Sequence, residues 1–345
     1  MIQVELKADQ SLWEHDRIYF ASDRDSGLRA IIALHYIRPG RTGGGIRFFP
    51  YASVADALHD VLRLSRAMTY KFAMAGLPIG GGKAVIIGDP KTDKTDSLLE
   101  AFGRAVDELN GLYTCAEDVG TTPADMAVIN RQTEFVAGLP GGTGDTSPAT
   151  GLGVFHALRA AVERRLPGRN FNQLRIAVQG VGNVGRYLCK HLHEQGAKLF
   201  VADIDEQAVQ AAAKDFDAQP VPLDEILSFD ADVLAPCALG AVLNDETVPR
   251  VRAAIVCGGA NNQLAEPRHG QQLADRGILY VPDYVANAGG VLSGAQVLLG
   301  LGDAELAARL QGIYATCNKV FDYAQSAGIP TSDAADRMAE DVISR

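Results

Sequence analysis

The sequence predicts an α/β protein of two domains, an N-terminal α/β domain and a doubly wound Rossmann domain. Three observations carry the fold. The chain has 345 residues, more than a single core usually organises. From Leu174 onward, short apolar runs alternate with helical patterns, as in a parallel sheet with crossover helices. Residues 139–148 read Leu-Pro-Gly-Gly-Thr-Gly-Asp-Thr-Ser-Pro, a loop by composition and a natural boundary. The expected division is 1–138, a hinge loop at 139–148, and 149–324.

In the first domain, residues 29–37 read as a strand, with Ile31, Ile32, Ala33 and Leu34 nearly continuous. Residues 40–45 read as a glycine-rich loop. Residues 53–68 read as a helix, because Ala57, Leu58, Val61, Leu62 and Leu64 recur at helical spacing behind the cap residue Ser53. A short strand at 83–87, an amphipathic helix at 96–109 and a strand at 113–116 follow. Thr122-Pro123 then opens a helix in the cap-then-proline order. Beyond the hinge, a helix at 149–162 bridges the domains. Strand 174–178, helix 184–195 and strand 198–202 come next, with further apolar runs at 233–235, 255–257 and 278–281. The C-terminal helix, within 325–345, is a candidate to pack back on the first domain.

A net charge of −10 excludes a general phosphate-backbone binder, which needs a basic stripe, so no nucleic-acid partner is expected. No apolar run approaches the length of a membrane span, and the N-terminus lacks the order of a signal peptide. The five cysteines are widely spaced and include no C-x-x-C pair. This argues against a disulfide framework or zinc knuckle and for a reducing cytoplasm. His191 and His193 lie two apart on a helix and point to different faces, so no metal site is expected.

Gly180-Val181-Gly182-Asn183-Val184-Gly185 stands between a strand pattern and a helix pattern, the context a dinucleotide-binding fingerprint requires. Its glycines allow a tight turn and close approach of a pyrophosphate to the helix N-terminus. Asp203, at the end of the next strand, is where the fingerprint places an acid. Its charge suits free ribose hydroxyls and opposes a 2′-phosphate, so NAD is the expected cofactor.

A second glycine string, Gly80-Gly81-Gly82-Lys83, follows Lys71 closely. With Gly44-Gly45-Ile46-Arg47, Met68-Thr69-Tyr70-Lys71, Ala116-Glu117-Asp118-Val119-Gly120, Ala260-Asn261-Asn262 and Asn287-Ala288-Gly289-Gly290, it resembles the glutamate, leucine, phenylalanine and valine dehydrogenase family over most of the chain. The resemblance implies reversible oxidative deamination of an L-amino acid to a 2-oxo acid, ammonia and NADH by a homo-oligomer. It implies that Lys71, helped by Asn262, holds the substrate carboxylate, that Lys83 activates water and that Asp118 shuttles protons. Gly43, Gly44, Met68 and Gly294 are the remaining substrate-side positions. Gly180, Gly182, Asn183, Val184, Gly185, Asp203, Ser147, Thr150, Cys237, Ala238, Ala260 and Asn262 are those along the cofactor. A lysine acting as base near neutral pH needs a depressed pKa, and the glycines at 80–82 are expected to let substrate approach Lys83. Closure of a cleft between the domains about the hinge is expected to exclude water.

Resemblance also bears on the substrate. Glutamate dehydrogenases carry a lysine at the position of Gly43, so a substrate side-chain carboxylate would be unpaired here, which is costly. Leucine dehydrogenases carry side chains at the positions of Gly43 and Gly294, and phenylalanine dehydrogenases carry glycine at the first. Two glycines imply an enlarged pocket and phenylalanine first, whereas Ala116–Thr122 is closer to the leucine enzymes; a branched-chain substrate is the alternative. A 2-hydroxy acid dehydrogenase would ask for a different base. A catalytically inactive dinucleotide-binding regulator would lack Lys71, Lys83 or Asp118.

Overall fold

The computed structural model describes residues 14–37, 40–140 and 145–344, apart from the side chains of Val297 and Leu298. The expected hinge positions 141–144 lie outside the described residues. The chain divides into two compact units. One holds the described residues before Asp145 together with Val297–Gly300; the other holds Asp145–Gln296 and the described residues from Leu301.

The first unit runs β1 (Arg17–Asp23), β2 (Leu28–Leu34), β3 (Thr42–Phe49), α1 (Val54–Met74), β4 (Gly80–Ile87), α2 (Asp96–Asp107), β5 (Tyr113–Glu117) and α3 (Pro123–Ile129). Its sheet has the order β1-β2-β4-β3-β5, with β3 parallel to both β4 and β5 and the β1 and β2 pairings antiparallel. Side chains alternate between the sheet faces with period two. Ile31, Ala33 and Val85 pack on Ala57, Leu58, Val61 and Leu62 of α1. Ile32, Leu34, Ile46, Phe48, Ala84 and Ile86 join Leu98, Phe102, Met126 and Ile129 beneath α2 and α3. Ser53 caps α1 by accepting the Asp56 N–H, and Thr122 forms a capping box with Asp125 at α3.

Two expectations are corrected here. Residues 40–45 are not a loop: from Thr42 they form β3, hydrogen-bonded on both sides. Likewise β4 begins at Gly80 rather than Lys83. Pairing with two neighbours overrides glycine's weak strand propensity. Helix α1 also runs on to Met74, past the apolar pattern that defines its first four turns.

The second unit runs α4 (Ser147–Arg165), β6 (Arg175–Gln179), α5 (Asn183–Glu194), β7 (Lys198–Ala202), α6 (Glu206–Phe216), β8 (Gln219–Pro220), β9 (Val233–Pro236), β10 (Ile255–Val256), α7 (Arg268–Asp275), β11 (Leu279–Tyr280), α8 (Asp283–Ala286), α9 (Gly289–Leu299, in this unit up to Gln296), α10 (Asp303–Ala327) and α11 (Thr331–Ile343). The all-parallel sheet has the order β11-β10-β9-β6-β7-β8, the doubly wound order whose direction reverses between β6 and β9. Ligands of such sheets bind outside the strand C-termini at that reversal. Helix α11, within the expected 325–345, packs against α7, α10 and β11 and belongs to this unit. No helix among the described residues is long and apolar enough to cross a membrane.

Candidate active site

In the first unit, strand period two puts Gly43, Gly45 and Arg47 of β3 and Lys83 of β4 on the face that α1 covers. Lys83 is 6% exposed, and its Nζ lies 3.0 Å from Asp118 Oδ2, just past the end of β5. Arg47 Nε reaches the same oxygen at 3.2 Å. Burial raises the Asp118 pKa, but the charges of Lys83 and Arg47 outweigh it, and the carboxyl is held below its ordinary value. The Asp118 backbone is fixed by Thr121, whose Oγ1 accepts its N–H at 2.9 Å. A Cβ on Gly45 would stand 2.8 Å from Asp118 Cβ and 3.0 Å from Lys83 Nζ, so only glycine leaves this pair intact.

The glycines at 80–82 do a different job from the one expected. A Cβ on Gly80 would meet the Tyr36 carbonyl oxygen at 1.6 Å, one on Gly81 the Thr69 nitrogen at 2.1 Å, and one on Gly82 the Tyr113 ring at 2.8 Å. The space beside them is filled by protein, not open to a ligand. They let α1 and the Tyr36 backbone lie directly on β4. Thr69 completes the contact: its Oγ1 accepts the Gly81 N–H at 3.2 Å and pairs with His35 Nδ1 at 2.9 Å. Burial, with the charges of His15 and Arg66, lowers the His35 pKa to about 3.

Lys71 and Met68 lie half-buried in the last turns of α1. Gly44 presents its carbonyl to the Tyr113 hydroxyl, which donates to it at 2.8 Å. At Gly43 an added Cβ would stand in ordinary contact with the Phe72 ring at 3.4 Å and Ile79 at 3.6 Å, so apolar side chains line the space beside this glycine. At Gly294 an added Cβ would meet nothing within 4 Å, and here the side-chain volume is open.

In the second unit the glycine turn joins β6 to α5. Gly180 has φ +92° and abuts Ala238, while a Cβ on Gly185 would strike the Gly180 carbonyl oxygen at 2.0 Å. These two glycines serve packing. Gly182 differs, since a Cβ there would enter open space. It precedes Asn183 and Val184, the first residues of α5, and no side chain caps that helix. An open turn leading into an uncapped helix N-terminus fits a dinucleotide pyrophosphate. Asp203 is tied to the same turn: its carboxylate accepts the Val181 N–H at 2.7 Å and the Asp205 N–H at 3.0 Å. This fixes a negative charge beside the cradle, which suits NAD and opposes a phosphorylated ribose.

Of the remaining cofactor-side positions, Cys237, Ala238, Ala260 and Asn262 follow the ends of β9 and β10. Cys237 Sγ accepts the Gly259 N–H at 3.3 Å, and the Ala260 N–H bonds the Pro236 carbonyl at 2.9 Å. Burial pushes the Cys237 thiol up to about 11 despite that N–H, which suits a packing role. Asn262 is exposed, with φ +52°. Its carbonyl accepts the Ala241 N–H at 2.6 Å. Ser147 and Thr150 are buried in the first turn of α4. There the Thr150 Cα and Oγ1 stand 3.0 Å and 2.8 Å from where Cβ atoms on Gly289 and Gly290 would be.

Sequence reasoning missed two supports. Gln263, fully buried, donates through Nε2 to the Gly258 and Ala260 carbonyls at 2.9 and 3.0 Å, and its own N–H bonds Asp283 Oδ2 at 2.7 Å. Asn287 Nδ2 donates to the Gly259 carbonyl at 3.2 Å and to Asn261 Oδ1 at 2.8 Å. Together these two carboxamides staple the loop that carries Asn262. Gln263 was signalled only by its adjacency to Asn262, and Asn287 by its place in the Asn287-Ala288-Gly289-Gly290 string. Arg47 and its second partner Asp60 went unassigned, since a pairing between β3 and α1 leaves no trace in sequence spacing.

Comparison with known proteins places the chain. Residues 15–135 match the model described as Glu/Leu/Phe/Val dehydrogenase, dimerisation domain, and residues 141–221 and 201–341 match the model for glutamate/leucine/phenylalanine/valine dehydrogenase. The chain is 46% identical over 343 residues to leucine dehydrogenase from Geobacillus stearothermophilus, covering 99% of this chain and 94% of that protein. It is 46% identical over 332 residues to valine dehydrogenase from Streptomyces albus, covering 94% and 91%. The crystal structure of L-tryptophan dehydrogenase from Nostoc punctiforme superposes with a TM-score of 0.86 at 44% identity over 96% of each chain. The chain therefore belongs to the glutamate/leucine/phenylalanine/valine dehydrogenase family and is an NAD-dependent amino-acid dehydrogenase, an oxidoreductase acting on CH–NH2 donors.

Proposed function

We propose that the chain oxidatively deaminates apolar L-amino acids, branched-chain ones first, to the 2-oxo acid and ammonia. The near-full-length similarity to a leucine dehydrogenase carries this reading. The apolar lining at Gly43, where Phe72 and Ile79 stand at contact distance, supports an apolar side chain. A second reading, a tryptophan-sized substrate, is favoured by the likeness to a tryptophan dehydrogenase and by the open space at Gly294. Glutamate is disfavoured, since no cation stands at Gly43 to pair its side-chain carboxylate.

NAD, when bound, supplies the hydride acceptor. In this reading the chain's own groups do the rest. Lys71 and Asn262 bind the α-carboxylate and so orient the α-carbon. Asp118 takes a proton from the substrate nitrogen and later returns one to the departing ammonia. Lys83, buried and free of a Cβ at Gly45, holds the attacking water and moves its proton through Nζ. Gly182 and the first turn of α5 hold the pyrophosphate, Asp203 sits at the adenosine ribose, and Ser147, Thr150, Cys237, Ala238 and Ala260 line the cofactor. The first domain also assembles copies of the chain into an oligomer. The test is NADH formation with purified protein and single L-amino acids. Leucine or valine turnover well above glutamate supports the reading, and glutamate turnover above both refutes it.

A further inference from the structure

We propose that Arg47 is a positioning residue for the deamination, fixing the Asp118 carboxylate against Lys83 in the orientation from which it meets the substrate nitrogen. The inference rests on the reading of Asp118 as proton carrier. Its geometry lies entirely within the first unit. The Arg47 guanidinium spans two carboxylates, Nε to Asp118 Oδ2 at 3.2 Å and Nη1 to Asp60 Oδ2 at 2.9 Å. Lys83 Nζ meets that same Asp118 oxygen at 3.0 Å. Both cations therefore hold Oδ2, and the Val119 backbone N–H also bonds the carboxylate. A planar fork reaching two carboxylates sets both distance and direction, which a flexible ammonium does not.

The far anchor is itself braced. Asp60, on α1, accepts the Tyr51 hydroxyl at 2.6 Å on Oδ2 and Arg63 Nε at 2.9 Å on Oδ1. A chain of contacts thus runs from α1 through Arg47 to the end of β5. Among the described residues, the charged and titratable groups facing Asp118 include Lys83 from β4, Arg47 from β3, the Tyr113 hydroxyl from β5 and the Tyr51 hydroxyl; those facing Arg47 are Asp118, Asp60 and Tyr51, with Arg63 behind Asp60. Removing the positive charge at position 47 raises the pKa of every ionisable group beside it.

The experiment measures kcat and kcat/KM against pH, with L-leucine and NAD, for wild type, Arg47→Gln, Arg47→Lys and Asp60→Asn. Arg47→Gln is expected to move the acid limb up by about 1 pH unit or more and to lower kcat roughly ten-fold or more while the leucine KM changes little. Arg47→Lys keeps the charge and loses the fork, so its acid limb returns toward wild type while kcat stays depressed. Asp60→Asn, which removes a negative charge and leaves Arg47 to Asp118 alone, displaces the limb downward. It serves as the test if Arg47→Gln does not fold. An unmoved limb in the Gln and Asn variants, or equal kcat losses in Gln and Lys with no displacement, would overturn the role given to Arg47. Full turnover in Asp118→Asn would instead overturn the underlying assignment of Asp118.

Discussion

Lys83, buried, and Asp118, half-buried, form an ion pair at 3.0 Å, and breaking one half of such a pair strands the other charge. Replacing Lys83 by Ala is expected to lower kcat by about 10²–10⁴-fold, as read by steady-state NADH formation, with NAD binding measured by fluorescence unchanged; wild-type turnover would refute the role. The glycines of the nucleotide turn separate into two kinds. Gly182→Ala is expected to fold with an unchanged melting temperature and a raised KM for NAD, because its Cβ enters open space. Gly180→Ala, at φ +92° and against Ala238, is expected to destabilise the protein itself, by about 1–3 kcal/mol in urea unfolding. Both glycines belong to one legible motif in the sequence, yet their different duties depend on what stands opposite each, which spacing does not encode.

At the scale of elements, β4 and α1 are joined unusually closely through glycine. A Cβ at Gly81 would overlap the Thr69 nitrogen and Oγ1 at 2.1 and 2.2 Å, so Gly81→Ala is expected to cost about 3 kcal/mol, the upper range for overpacking, with a matching fall in denaturation midpoint. The same contact predicts a pH dependence. His35 is held neutral down to about pH 3 by burial first, whereas an unfolded histidine protonates near 6.5. The unfolded state therefore binds the extra proton, and stability present above pH 6.5 is lost as pH falls toward the folded value. Equilibrium unfolding between pH 7 and 4 checks this, and His35→Gln should flatten the decline. The helices of the first unit were legible because Ser53 and Thr122 caps precede apolar residues at helical spacing. The glycine-rich starts of β3 and β4 were not, because their strand character comes from paired neighbours rather than from their own side chains.

For the whole molecule, the doubly wound sheet was legible from alternating apolar runs, and the family from strings spread between Gly44 and Gly290. Asp118 and Lys83, far apart in sequence, meet because β3, β4 and β5 are parallel neighbours in one sheet. Substrate size was only half legible, since the space beside Gly43 is bounded by Phe72 at contact distance, which no motif flags. Phe72→Ala is accordingly expected to shift relative kcat/KM from leucine toward tryptophan by roughly ten-fold or more. The central claim, an NAD-dependent deamination of apolar L-amino acids, is tested most directly by one panel of initial rates with L-leucine, L-valine, L-tryptophan, L-phenylalanine and L-glutamate. The account predicts NADH formation with leucine and valine above the aromatic members and essentially none with glutamate. Glutamate as the best substrate, or no NADH with any of the five, would contradict it.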